Sequence, residues 1–230
     1  MIDTLKKHPF FSTKKIQSCM RLEHQGYCNE NYLLVADGMK YIVRKLLRED
    51  INRAFEWEVQ NMAYMSGITA KPLVFDEVNR FMIFEFIDGV HKNILDNHVL
   101  KMLAGSLEKL HHIKIDAKPI ELHINNRTDK VLKSFEMIEK YPKEYVLCHN
   151  DLNPQNILFT KNIKLIDFEY AGINDKYFDL ASVCVEFQLN DVMQNIFIDA
   201  YFHGKDVLLA KLEAYKVIYS VICEEWFYTN

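Results

Sequence analysis

Asp151, Asn156 and Asp167 are the residues whose types and spacing point to chemistry. They stand in two neighbouring runs, Val146-Leu147-Cys148-His149-Asn150-Asp151-Leu152-Asn153-Pro154-Gln155-Asn156 and Ile163-Lys164-Leu165-Ile166-Asp167-Phe168-Glu169-Tyr170. Ile157–Phe159 and Ile163–Ile166 read as apolar strands around the polar turn Thr160-Lys161-Asn162. An antiparallel hairpin centred near residue 161 then brings Asn156 almost opposite Asp167. A carboxamide oxygen and a carboxylate at one end of a hairpin suit Mg²⁺, a hard cation that takes oxygen ligands and is shared between protein carboxylates and substrate phosphates. Asp151 lies in the loop just before, with Pro154 stiffening the chain between it and Asn156. Its carboxylate can reach a hydroxyl held beside a metal-bound nucleotide, which makes it the candidate catalytic base. Three such residues at this spacing weigh against ordinary loop acids and a turn asparagine. His149 reads as a buried imidazole bonded to backbone, shaping the loop.

The pattern H-x-D-x-x-x-x-N followed by I-D-F resembles the catalytic and metal-binding segments of protein kinases, H-R-D-x-x-x-x-N and D-F-G. Here Asn150 stands for the Arg and Glu169 for the Gly. Those departures point away from a protein-kinase activation loop and toward the branch of aminoglycoside phosphotransferases and choline kinases. After Asp167 come Phe168-Glu169-Tyr170, Phe178-Asp179-Leu180 and Cys184-Val185-Glu186-Phe187. They resemble the D-F-E-Y…F-D-[IL]…C-E-[WF] run of choline and ethanolamine kinases. The resemblance implies that Asp179 is a buried structural carboxylate, that Glu169 and Tyr170 belong to the acceptor side, and that Glu186 is an acid near a positive head group.

The elements that must position these residues fall into two lobes. Tyr32–Val35, a turn at Ala36-Asp37-Gly38, and Tyr41–Arg44 read as a hairpin. A helix over 51–66 closes at Gly67, and strand-like runs follow at Leu73–Phe75 and Phe81–Phe86. Five strands and one helix are expected in this first lobe. From residue 94 helical spacing dominates, with helices expected over 95–113, 124–140, 176–202 and 206–228, interrupted by short strands between 145 and 166. The expected architecture is a bilobal, protein-kinase-like α+β fold: residues 1–88 hold the nucleotide and residues 89–230 supply catalysis and acceptor binding.

Within the first lobe, Gln25-Gly26-Tyr27-Cys28-Asn29-Glu30-Asn31-Tyr32 resembles the G-x-x-N-x-N-Y turn of choline kinase relatives, which implicates Asn29 and Asn31 at the nucleotide. Arg44 ends an apolar strand that resembles the V-A-I-K strand of kinases, with an Arg fork able to hold phosphate oxygens bidentately. Glu58 shares the helical stripe Phe55-Glu58-Met62-Met65 and so is expected to face inward and pair with Arg44, Glu56 being the partner if the helix is rotated. Phe86 and Ile87, in the hinge Glu85-Phe86-Ile87-Asp88, would offer backbone groups to adenine, or serve as strand core.

At the acceptor end Tyr215, Tyr219, Ile222 and Trp226 recur at helical spacing. A quaternary ammonium offers no N–H, so aromatic faces and a carboxylate are its natural ligands. Tyr219 and Trp226 with Glu186 would form such a site, whereas periodicity alone reads the stripe as packing. The second Trp usual in this helix of the family is absent.

The totals agree with a small-molecule enzyme. In 230 residues, 28 basic against 32 acidic side chains give a net charge of −4 and no polycationic surface for nucleic acid. No apolar run is long enough for a secretory leader or a membrane span, and five scattered cysteines lack any C-x-x-C, so a reduced, cytoplasmic protein is expected. The expected ligands are ATP, Mg²⁺ and a cationic alcohol, choline foremost. Ethanolamine, thiamine and an aminoglycoside are rival acceptors, and a catalytically dead nucleotide-binding scaffold is the non-enzyme alternative.

Overall fold

The computed structural model describes residues 2–23 and 28–229. Of the expected nucleotide turn, Gln25, Gly26 and Tyr27 lie outside the described residues. Two compact units follow one another along the chain, Met1–Asp88 and Gly89–Asn230.

The first unit begins with a short helix, α1 (Ile2–Lys7), and continues as strands β1 (Ile16–Arg21), β2 (Asn29–Ala36) and β3 (Met39–Leu46), helix α2 (Arg53–Met65), and strands β4 (Pro72–Asp76) and β5 (Phe81–Glu85). The strands form one antiparallel sheet in the order β1-β2-β3-β5-β4. The β2–β3 turn is as tight as the sequence implies: Ala36 pairs with Met39, and Asp37 and Gly38 both take positive φ, 49° and 76°. Both faces of the sheet are covered, which explains the unbroken apolar run Phe81–Phe84. Phe81 and Ile83 pack with Leu5, Phe11, Leu34, Tyr41 and Val43, while Met82 and Phe84 pack with Leu46, Ala70 and Trp57 of α2.

Helix α2 starts two residues later than the spacing predicts. Asn52 caps it by accepting from Phe55 N, and it ends at Ser66 with Gly67 left-handed at φ 74°. Its inward face is Glu56, Val59, Gln60 and Ala63, and Met65 is 86% exposed. The expected stripe through Phe55, Glu58, Met62 and Met65 is therefore not the buried one.

The second unit holds helices α3 (Asn97–His111), α4 (Asp129–Glu139), α5 (Lys176–Glu186), α6 (Asp191–Phe202) and α7 (Leu209–Thr229), and strands β6 (Tyr145–Cys148), β7 (Ile157–Phe159), β8 (Ile163–Leu165) and β9 (Gly172–Asp175). The expected helix over 176–202 is two helices. Gln188 turns left-handed at φ 47°, and Asn190 caps α6 by accepting from Met193 N. The β6–β9 pairing was not legible in the sequence. Helix α3 packs on α6, and α5 and α4 both pack on α7. The position of α7 is fixed by Lys211, fully buried, whose ammonium donates to Pro142 O at 2.8 Å and pairs with Asp175 at 2.7 Å. Asp175 also caps α5 through Tyr177 N, so one carboxylate joins the start of α5 to α7. A buried pair of this kind fixes register.

Candidate active site

The loop between β6 and β7 is held from four directions. His149 N and Asn150 N donate to the two oxygens of Asp179, at 2.7 and 2.9 Å, and Asp179 is wholly enclosed on α5. The His149 ring bonds Ile166 O through Nε2 at 2.9 Å and lies against Phe168. Asn150 adopts φ 65°, a region Asn tolerates better than most residues, and its carboxamide donates to Tyr170 O at 3.0 Å while accepting from Asn174 at 2.9 Å. This explains a carboxamide where protein kinases have a guanidinium: the side chain braces the loop against the segment after Asp167.

Asp151 follows. Asn156 Nδ2 donates to its Oδ2 at 2.7 Å and to its carbonyl at 2.9 Å, and Asn153 Nδ2 donates to Oδ1 at 3.0 Å. Burial pushes the Asp151 carboxyl above the usual carboxylate range, and the charge of Asp167 pushes the same way, against the charge of His149 and the two carboxamides. The β7–β8 hairpin centres on Lys161, with Ile157 opposite Leu165 and Phe159 opposite Ile163. Ile166 N donates to Asn156 O at 2.9 Å, so Asn156 faces Ile166, and Asp167 is the next residue out. Asp167 takes φ 68° and turns the chain into one 3₁₀ turn, Phe168–Tyr170, which carries Glu169 and Tyr170.

Glu186 ends α5. Tyr219 of α7 donates to its Oε1 at 2.9 Å, and the Cys223 thiol hydrogen-bonds the same tyrosine. Burial raises the Glu186 carboxyl, and the charge of Asp151 adds to the rise. Burial likewise lifts the Cys223 thiol to about 11, so it stays protonated at neutral pH. The aromatic stripe of α7 divides. Tyr215 is core, edge-on to Phe178, whereas Tyr219 packs its ring on Phe178 and extends its hydroxyl to Glu186. Trp226 lies seven residues further along the helix and is partly buried; two turns return it near the same face.

In the first unit, Arg44 Nη1 donates to Glu56 Oε1 at 2.9 Å, and Arg53 Nη1 to Glu56 Oε2 at 2.7 Å. The expected Arg44–Glu58 pair is thus incorrect: Glu58 is exposed, and Glu56 lies on the buried face of α2 with Val59, Gln60 and Ala63. Asn31 stands opposite Arg44 on β2, and Arg44 Nε reaches its Oδ1 at 3.4 Å. Asn29 is buried at the start of β2. Phe86 and Ile87 follow the end of β5; Phe86 N donates to Lys40 O at 3.3 Å, and Ile87 packs with Met82 and Phe84.

The family model of choline/ethanolamine kinase matches residues 117–201, which hold the loop 149–156, Asp167 and Glu186. Over that stretch the chain is similar to the choline/ethanolamine kinases. That family consists of phosphotransferases acting on an alcohol group. LicA of Haemophilus influenzae is 24% identical over 205 residues, 76% of this chain and 60% of that protein, so the chain spans less than two thirds of this relative. Choline kinase LicA from Streptococcus pneumoniae superposes with a TM-score of 0.83 at 20% identity, over 98% of this chain and 89% of that one. A spectinomycin phosphotransferase, in complex with ADP and spectinomycin, gives 0.74 at 14% identity over 97% of this chain and 86% of that one. These likenesses establish the bilobal, protein-kinase-like α+β fold.

The donor set fits magnesium. Asn156 commits its amide nitrogen to Asp151, which leaves the carboxamide oxygen as its accepting end, and Asp167 supplies a carboxylate one residue beyond the hairpin. Both are hard oxygen donors. Sequence reasoning missed Arg53, whose signal was its placement three residues before Glu56 at a helix start. Asn153 and Cys223 left no such signal, because their roles depend on loop and helix packing.

Proposed function

We propose that this chain is an ATP- and Mg²⁺-dependent kinase that phosphorylates the hydroxyl of choline or a close amino alcohol, giving phosphocholine and ADP. The observation that carries the reading is Asp151, a carboxylate oriented by two carboxamides and within electrostatic reach of both Asp167 and Glu186. One neighbour suits a metal and the other a cationic head group, so a hydroxyl lying between them is the group left for Asp151.

Asp151 accepts the hydroxyl proton as the acceptor oxygen bonds to the γ-phosphorus and the bond to ADP breaks. Asn156 and Asp167 would hold magnesium, which would supply charge neutralisation on the phosphates. Arg44, with Asn29 and Asn31 beside it on β2, steadies the nucleotide phosphates, and Phe86 and Ile87 offer backbone to adenine. Glu186 and Tyr219, with Trp226, Glu169 and Tyr170, receive the cationic alcohol. Positioning and electrostatics account for most of the rate. No described helix is long and apolar enough to cross a membrane. Five cysteines without a disulfide among the described residues accord with a cytoplasmic enzyme.

The test is acceptor-dependent ADP release with choline, ethanolamine, thiamine and an aminoglycoside, each with and without a magnesium chelator. Choline is expected to give the highest kcat/KM, abolished by the chelator. Preference for another acceptor overturns the choline assignment, and release with none of them overturns the kinase reading in favour of a scaffold.

A further inference from the structure

The backbone clamp on the catalytic loop continues beyond Asp179. His111, at the end of α3, places Nε2 at 3.1 Å from Asp179 Oδ2, and its Nδ1 lies 2.6 Å from the hydroxyl of Tyr201 on α6. All three side chains are buried. Cys148 lies close enough to His111 and Asp179 for the trio to suggest a metal site. The hydrogen bonds argue otherwise. Both Asp179 oxygens already accept backbone N–H groups, both His111 nitrogens are engaged, and the Cys148 thiol points at the carbonyls of Asn174 and Asp175. Burial also holds that thiol well above its ordinary value, away from the thiolate a metal would need.

What remains is a relay. In a neutral ring whose Nε2–H donates to the carboxylate, Nδ1 is an acceptor and Tyr201 O–H is its donor. Without that hydroxyl a buried imidazole nitrogen has no partner in the relay, and the ring can leave Asp179 to find one. Asp179 would then lose one of the three donors that hold its two oxygens in line with the amides of His149 and Asn150, directly before Asp151.

We infer that Tyr201 is a positioning residue for the phosphoryl transfer: acting through His111 and Asp179, its hydroxyl fixes the backbone of residues 149–150 and thereby the placement of Asp151. The inference rests on Asp151 being the base of the proposed kinase. Tyr201 touches neither substrate nor metal in this account, and its ring also packs edge-on against His111 and Phe202. Tyr201→Phe keeps that packing and removes only the oxygen.

The decisive readouts are amide hydrogen exchange at His149 and Asn150 by NMR and steady-state kinetics. Tyr201→Phe is expected to speed exchange at those two amides about tenfold, the scale of one buried hydrogen bond. It should lower kcat about five- to tenfold with KM for both substrates unchanged, because alignment and not binding is lost. Tyr177→Phe is the control. That ring is also buried, but its hydroxyl accepts from Leu208 N, away from the loop, so exchange at His149 and Asn150 and kcat should stay as in the wild type. In a His111→Gln background, Tyr201→Phe should add nothing further, since its route to the loop is already cut. Unchanged exchange in Tyr201→Phe, equal acceleration in Tyr177→Phe, or faster exchange with unaltered kcat would each overturn the inference. Exchange needs no substrate, so a wild type that phosphorylates no acceptor would defeat the kinase reading while the amides still report on Tyr201.

Discussion

Glu56 in the first unit and Asp151 in the second are both drawn out of bulk water, and they keep opposite company. Glu56, 3% exposed, has one guanidinium on each oxygen. Asp151 keeps an opening to solvent, receives carboxamide donors on its oxygens among the described residues, and has Asp167 as an acidic neighbour. The first arrangement satisfies a charge and holds a helix to a strand. The second orients a charge without neutralising it, which is what a group that must take a proton requires. Burial by itself does not separate structural from reactive carboxylates; the partners do.

The largest expected effect breaks this contrast at Asp151. Asp151→Asn keeps the shape and removes the proton acceptor, so turnover should fall roughly 10²–10⁴-fold, the usual contribution of a general base. Nucleotide affinity and the folded state should persist. Steady-state kinetics with calorimetry of nucleotide binding checks this, and near wild-type turnover would end the assignment of Asp151.

Next is Glu56. Glu56→Gln leaves Arg44 and Arg53 facing a neutral amide in a buried position, at a cost of about 3 kcal/mol in stability. Glu58→Gln, on the exposed side of the same helix, should change stability by no more than about 0.5 kcal/mol. Urea unfolding of the two variants is the measurement. A reversed order would mean that Glu58 and not Glu56 is the partner of Arg44.

The same two regions explain what was legible in the sequence. The loop and hairpin around Asp151, Asn156 and Asp167 are local: a five-residue spacing and a three-residue turn bring these residues to one end of the hairpin. The two strands, their centre at Lys161 and the turn at Asp37-Gly38 could therefore be read directly. The Arg44 partner could not. Choosing between Glu56 and Glu58 depends on which face α2 turns to the sheet, and residues two apart on a helix point about 200° from each other, so the choice is made by packing against distant strands. The break between α5 and α6 rests on a left-handed Gln188, a conformation that glutamine does not advertise. Pairings across long separations, such as β6 with β9 and Tyr201 with His111, leave no local pattern at all.

The smallest expected effect sharpens the comparison through pH. Burial, helped by the charge of Asp167, raises the Asp151 carboxyl above its ordinary range in the folded chain. A carboxyl with a raised folded pKa binds its proton more tightly when folded than when unfolded. Its contribution to stability is therefore fully present below the unfolded value, near 4, and is lost as pH rises through the raised folded value. Asn at 151 cannot titrate and serves as the reference. The Tm of the wild type minus that of Asp151→Asn should accordingly fall as pH rises from about 4 through the raised folded value. Activity should run the other way across the same window, because the base must be deprotonated to work: kcat/KM rises with pH while the wild type gives up its relative stability. A Tm difference that stays flat or grows with pH would mean that Asp151 is as well satisfied as Glu56, and the distinction drawn between the two carboxylates would fail.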